Sequence, residues 1–386
     1  MFELLSCSII LSIIYCNILL VVGFYIYYLL WVVKPPMLVC GNGNICKLIE
    51  NIEMINENFW PTPWCLESRA QTILASILRG NMIPDINYRR EILTLKDGGE
   101  VALDWVDNHC TNLSPIVIIL PGLTGASQAE YIKCLVTGGR EIGIRCVIFN
   151  NRGLGGISLK TPRTYCAANS DDFAEVLNHV SQLNPDVQIG ATGISMGGLI
   201  LGNYLAQERE AAVNKLQAAF LVSVPWNVFE GTKSIESGLN RLLNRYLAKA
   251  LKKSFKNMHN KVEDLLEEDL TEAFKSNTLR EFDSAFTAKH FGYKDVNEYY
   301  ANATLHKKLH SIHVPLLCLT AADDPFQPFD VIPLKEAKES KSIAFLITSH
   351  GGHIGFLEGL FPTKQEQYIS KLFKQYFQAV FFKNHT

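Results

Sequence analysis

The stretch Val187-Gln188-Ile189-Gly190-Ala191-Thr192-Gly193-Ile194-Ser195-Met196-Gly197-Gly198 runs from strand-forming residues into a serine hemmed in by glycines. With glycine at ~7% of residues and about twenty serines, a G-x-S-x-G string arises by chance in roughly one chain in ten. The setting carries more weight than the string. Val187 to Thr192 reads as a strand and a helix begins near Gly198, so small neighbours let a strained turn hold a serine hydroxyl exposed. Ser195 is the candidate nucleophile.

Outward from this turn the same rhythm repeats. Ile116-Val117-Ile118-Ile119-Leu120 is a continuous apolar run ending at Pro121-Gly122, as expected of a strand buried on both faces. Arg145 to Asn150 reads as a strand, Asp171 to Leu183 as a helix, and Ala218–Val224, Val314–Thr320 and Ile343–Thr348 as three further strands. Residues 91–106 read as a hairpin, with Ile92, Leu93 and Leu95 before Asp97-Gly98-Gly99 and Val101, Leu103 and Trp105 alternating after it. Strands alternating with helices predict an α/β architecture, a mostly parallel central sheet with helices on both faces. Residues 91–383 are the expected domain. Within it, residues 226–313 break the rhythm and predict a helical cap insertion. There Leu239, Leu242, Leu243, Tyr246, Leu247, Ala250 and Leu251 recur at helical spacing, opposite Arg241, Arg245, Lys249, Lys252, Lys253 and Lys256. Two readings stand for that helix: its stripe packs on the catalytic core, or it lies in a membrane interface. An acidic stretch through Glu263, Asp264, Glu267, Glu268 and Asp269 follows.

A serine hydroxyl needs a base to take its proton and an acid to hold that base in one tautomer. On this kind of sheet the acid follows a late strand and the histidine follows the last one. Asp324, in Asp323-Asp324-Pro325, and His353, in Gly351-Gly352-His353-Ile354-Gly355, meet that order. Their competitors are Asp323, expected to face solvent or cap the loop, and His350. Acyl transfer also needs two N–H donors for an oxyanion. Met196, after the nucleophile, is one candidate, and Leu123 in Pro121-Gly122-Leu123-Thr124-Gly125 is the other.

The 386 residues carry a net charge of only -2, which leaves no basic field for nucleic acid. Ten scattered cysteines form neither a zinc pattern nor a disulfide framework, and the expectation is buried thiols. From Leu4 to Val33 no charged residue occurs, and Tyr25, Tyr27, Tyr28 and Trp31 lie at the far end before Lys34-Pro35-Pro36. A spanning helix needs ~20 apolar residues, so 4–33 is expected to be a retained transmembrane anchor. Residues 34–90 are expected to be a linker with a short helix, on which Ile73, Leu74, Ile77 and Leu78 pack inward.

Together Leu120–Gly125, Asn151-Arg152-Gly153, Gly193–Gly198, Asp323–Phe326 and Gly351–Phe356 resemble the AB hydrolase 4 family, as do Trp60-Pro61-Thr62 and Phe291-Gly292-Tyr293. The resemblance runs from about residue 55 to about residue 375 and is greatest to the animal single-pass membrane members. It implies the α/β-hydrolase fold and acyl ester hydrolysis, with medium-chain phosphatidylcholines among possible substrates and the endoplasmic reticulum among possible membranes. By motif position it carries nucleophile, acid and base to Ser195, Asp324 and His353. No cofactor is implied. An acyltransferase using the same serine is an alternative, often marked by His-x4-Asp; His259 to Asp264 and His290 to Asp295 fit that string. A non-catalytic interaction protein would be expected to lack a triad member, and a metal-dependent hydrolase would need a ligand cluster. Neither condition is met in the sequence.

Overall fold

The computed structural model describes residues 2–108, 110–259, 267–363 and 366–382. Nine strands build one sheet: β1 (Met37–Val39), β2 (Arg89–Thr94), β3 (Glu100–Val106), β4 (Ile116–Leu120), β5 (Arg145–Asn150), β6 (Ile189–Ile194), β7 (Ala218–Val222), β8 (Leu316–Ala321) and β9 (Ile343–Thr348). Their order is β1-β9-β8-β7-β6-β4-β5-β3-β2. From β5 to β9 the neighbours run parallel, while β1, β2 and β3 pair antiparallel at the two edges.

Alternation along each strand divides the side chains between two cores. On β4, Ile116, Ile118 and Leu120 enter one core, and Val117 and Ile119 enter the other. Helices α4 (Asp171–Leu183) and α5 (Met196–Glu208) fill the first through Phe173, Leu177 and Leu201. The second is filled by α3 (Glu130–Glu141) and α8 (Tyr368–Phe381), through Ile132, Leu135, Phe373 and Tyr376. Each fully buried side chain of this size contributes about 1.5–3 kcal/mol. The central strands are fixed from both sides.

Between β7 and β8 lie helices that include α6 (Val228–Ile235) and α7 (Asn240–His259). The apolar stripe of α7 divides. Leu243 and Leu251 are buried, together with Phe255 and Met258, whereas Leu239, Leu242 and Tyr246 are exposed. Among the described residues Arg245, Lys249, Lys253 and Lys256 make no ion pair. Glu263 and Asp264 of the acidic stretch lie outside the described residues.

Two expectations for the N-terminal quarter are corrected. Residues 34–90 supply more than a linker, because β1 pairs with β9 through Met37 and Ile347, and the short helices Asn44–Ile49 and Glu53–Asn56 pack on α8. Cys40 and Cys46 form a disulfide, with Cα atoms 6.3 Å apart, so they are not free thiols. Cys65, Cys134, Cys146, Cys166 and Cys318 are buried thiols.

Ahead of β1, α1 (Phe2–Tyr27) passes into a π-helical turn, Tyr28–Val32. Leu11–Val32 is long and apolar enough to cross a membrane, with mean hydropathy 2.1. Its far end is stitched to the body. The Tyr28 hydroxyl donates to the Pro61 carbonyl at 2.7 Å, and Ser349 Oγ donates to the Val32 carbonyl at 3.1 Å.

Candidate active site

Ser195 sits between the end of β6 and the start of α5, with φ 52° and ψ −115°. Such a backbone is strained for a residue with a Cβ and persists only when its surroundings enforce it. They do so by closeness. A Cβ at Gly197 would fall on the Leu120 carbonyl oxygen and 2.5 Å from that of Pro121, and one at Gly198 would fall on Val224. With glycine at both positions the helix starts directly against β4, and the serine is pushed out of the sheet edge.

His353 Nε2 lies 2.8 Å from Ser195 Oγ, and His353 Nδ1 lies 3.0 and 3.1 Å from the two oxygens of Asp324. Asp324 is buried and also accepts the Phe326 N–H at 2.8 Å, so its carboxylate is oriented from two sides. The Phe326 ring covers the imidazole with centroids 4.2 Å apart. Leu243 of α7 and Ile235 of α6 cluster with Phe326, which places the helical insertion over Asp324 and His353.

The oxyanion candidates are near at hand. The Gly122 N–H donates to the Tyr131 hydroxyl at 3.0 Å, which leaves Leu123 as the next N–H of that loop. A Cβ at Gly122 would lie 3.4 Å from the Ser195 Cβ, so the loop borders that serine. Met196, the first residue of α5, is one of the N–H donors that every helix start leaves without an intrahelical partner.

The histidine loop has supports that the sequence did not disclose. They come from α2 (Ser68–Met82). Thr72 Oγ1 accepts the His353 N–H at 2.9 Å, and Gln71 Oε1 accepts the Leu357 N–H at 2.8 Å. The buried Arg79 guanidinium donates to the Ile354 carbonyl at 2.7 Å, to the Gly355 carbonyl, and to Gln367 Oε1 at 2.9 Å. Ser223 Oγ accepts the Ile354 N–H at 3.0 Å. Asp323, expected to face solvent or cap its loop, accepts the Gly352 N–H at 2.9 Å, and thereby ties the acid loop to the histidine loop. Burial, then the charge of Asp324, pushes its carboxyl up to about 7.

The expected inward packing of α2 holds for Leu74 and Leu78, which pack against the buried Ala75, and is corrected for the other two. Its buried residues are Gln71, Ala75 and Arg79, while Ile73 and Ile77 are exposed. Side chains that must reach loop carbonyls and amides take the inner face. The competitor His350 bonds Ser349 Oγ at 3.1 Å, beside the end of α1, and burial lowers its pKa. The His290–Asp295 string is not assembled at Ser195: His290 stacks on Phe286, and Asp295 caps the helix Val296–Ala303. Asp264 of the other string lies outside the described residues. An open depression of about 430 Å³, lined by His306, Phe329 and Asp330, is separate from the Ser195–His353 pair.

A mostly parallel sheet with a serine on the strand-to-helix turn, and a histidine after the last strand, defines a hydrolase of the α/β class. The model of the alpha/beta hydrolase fold family matches residues 115–360, and the chain belongs to that family. It is 41% identical to mouse phospholipase ABHD3 over 95% of this chain and 90% of that one. Human phospholipase ABHD3 is 40% identical over 94% and 89%. A solved serine hydrolase from the bacterium Cycloclasticus zankles shares the fold, with TM-score 0.50 and 14% identity over 77% of this chain and all of that one. The chain is an ester hydrolase.

Proposed function

We propose that the protein is a membrane-anchored phospholipase or carboxylesterase that works through an acyl-enzyme on Ser195. The observation that carries this reading is the unbroken line from Ser195 Oγ through His353 to the buried Asp324, with contacts of 2.8 and 3.0 Å. In the reaction Ser195 Oγ attacks the ester carbonyl as His353 Nε2 takes its proton. The oxyanion forms against the Leu123 and Met196 N–H groups, and Asp324 balances the imidazolium. Collapse breaks the acyl–oxygen bond, and His353 returns the proton to the departing alcohol, a lysophospholipid where the substrate is a phospholipid. Water then attacks the acyl-enzyme by the same route and releases the fatty acid. Both relatives at about 40% identity are named phospholipases, which supports a glycerophospholipid substrate, with medium-chain acyl groups the first to try.

The apolar run Leu11–Val32, exposed up to Tyr27, supports a single-pass anchor, with the endoplasmic reticulum as one membrane that would hold it. Resistance to carbonate extraction tests the anchor.

For the chemistry, Ser195→Ala is expected to lose fluorophosphonate labelling and all release of fatty acid from phosphatidylcholine vesicles, at unchanged Tm. His353→Ala should lose nearly as much and Asp324→Asn less, because the three act as a unit. Labelling that survived in Ser195→Ala would overturn the assignment of the nucleophile.

A further inference from the structure

Helix α2 leaves part of its apolar surface uncovered. A surface helix of a soluble domain turns its apolar side inward. Here Ala75 is buried and Leu74 and Leu78 pack beside it, but Gln71 and Arg79 are also buried under the histidine loop, and Ile73 and Ile77, one turn apart on the outer side, are 47% and 51% exposed. The turn just before α2 is similar. Trp60 and Trp64 are exposed, and Trp64 donates its indole N–H to the Leu360 carbonyl at 2.9 Å with Leu360 itself exposed. An indole whose N–H is bonded and whose rings stand outward suits a lipid headgroup boundary.

At Trp60 this surface meets the end of α1. The Trp60 ring lies 6.3 Å from that of Tyr28, and the Tyr28 hydroxyl bonds Pro61. Where α1 leaves a bilayer, these residues arrive at its surface. We propose that Trp60, Trp64, Ile73, Ile77 and Leu360 form a rim seated in the phospholipid bilayer that α1 spans, a proposal that rests on the anchoring read above. Seating α2 there brings the loop that it holds, and so His353 and Ser195, to the lipid surface. An acyl chain then reaches the serine without crossing water. Asn240, at the start of the basic helix α7, accepts a bond from Arg69 of α2 at 3.2 Å, which sets the cationic helix beside the same rim.

The test uses the full-length protein in phosphatidylcholine vesicles that carry doxyl-labelled lipid. The tryptophan emission lost in a Trp60→Phe/Trp64→Phe variant is the rim's signal, and it is expected to be quenched by the doxyl lipid and shielded from aqueous acrylamide. Ile73→Ser/Ile77→Ser/Leu360→Ser should slow turnover of vesicle lipid about tenfold, since each side chain loses apolar contact, and leave turnover of a soluble short-chain ester unchanged. Carbonate extraction reads the anchor separately: release of the parent overturns the anchoring and the rim with it. A carbonate-resistant parent whose rim tryptophans are open to acrylamide and unquenched by doxyl lipid overturns the rim alone. Equal vesicle turnover by the triple variant does so as well.

Discussion

Two helices hold Ser195 and His353, and they do so by opposite means. Helix α5 presents Ser195 and is buried from Met196 to Ala206, so the serine is held by packing against β4 and β7 with no room to spare. Helix α2 holds the loop of His353 and buries few residues, with Thr72, Gln71 and Arg79 bonded to the loop's amides and carbonyls. One side of the site is fixed by contact and the other by polar bonds. Packing resists any added atom. Polar support tolerates added bulk on its free side but fails when one donor is removed.

A matched pair of glycines gives the largest contrast. Gly197→Ala drives a Cβ into the Leu120 carbonyl, and backbone on both sides prevents relief. It is expected to cost about 3 kcal/mol or more and to abolish probe labelling, read by thermal melts and fluorophosphonate gels. In α2 a Cβ at Gly80 meets nothing within 4 Å. Gly80→Ala should raise stability by about 0.5–1 kcal/mol, through helix propensity and a less flexible unfolded chain, and leave activity alone. Equal losses in both would dissolve the contrast.

Removing a donor comes next. Arg79→Ala leaves the Ile354 and Gly355 carbonyls without their bonds, at about 1–3 kcal/mol for each buried group. Because those carbonyls follow His353 directly, kcat should fall more than KM rises. Arg79→Lys should restore part of kcat, since an ammonium supplies a donor without the guanidinium's fork. A change in Tm with kcat untouched would make Arg79 a purely structural group.

The contrast between the helices also marks where the sequence was legible. Strands β4 to β9 are short, mainly apolar runs, and β5 and β9 fall on the expected residues, each buried along its whole length. Ser195, Asp324 and His353 each follow a strand, which is what marked them as candidates, and the fold brings the three side chains together. Strand β1 could not, since Met37-Leu38-Val39 is too short for alternation to register and pairs with residues far along the chain. Periodicity placed the inner face of α2 only in part: Leu74 and Leu78 pack inward, but counting apolar residues cannot see that Arg79 has two carbonyls and Gln367 to bond and stays inside while Ile73 and Ile77 are left exposed. Cys40 and Cys46 have no spacing that separates them from the free thiols, and only the fold brings them together.

The smallest expected effect lies between the two supports, at Asp323. One oxygen accepts the Gly352 N–H, and the other is buried and bonded to nothing among the described residues. Burial and the neighbouring Asp324 push its carboxyl up to about 7, against an unfolded value of ~3.9. Between those values the folded state holds a proton that the unfolded state has lost, so stability falls as pH rises. The contribution is complete below pH ~4 and gone above about 7. Asp323→Asn keeps an oxygen for Gly352 and removes the charge. Its Tm should gain on the parent's from pH 4 to pH 7 and hold a constant lead above that, and ester hydrolysis should survive, whereas Asp324→Asn loses most of its activity. A Tm difference that did not change with pH would remove Asp323 as a titrating link between the loops. Greater damage from Asp323→Asn than from Asp324→Asn would exchange their roles, with Asp323 as the acid behind His353.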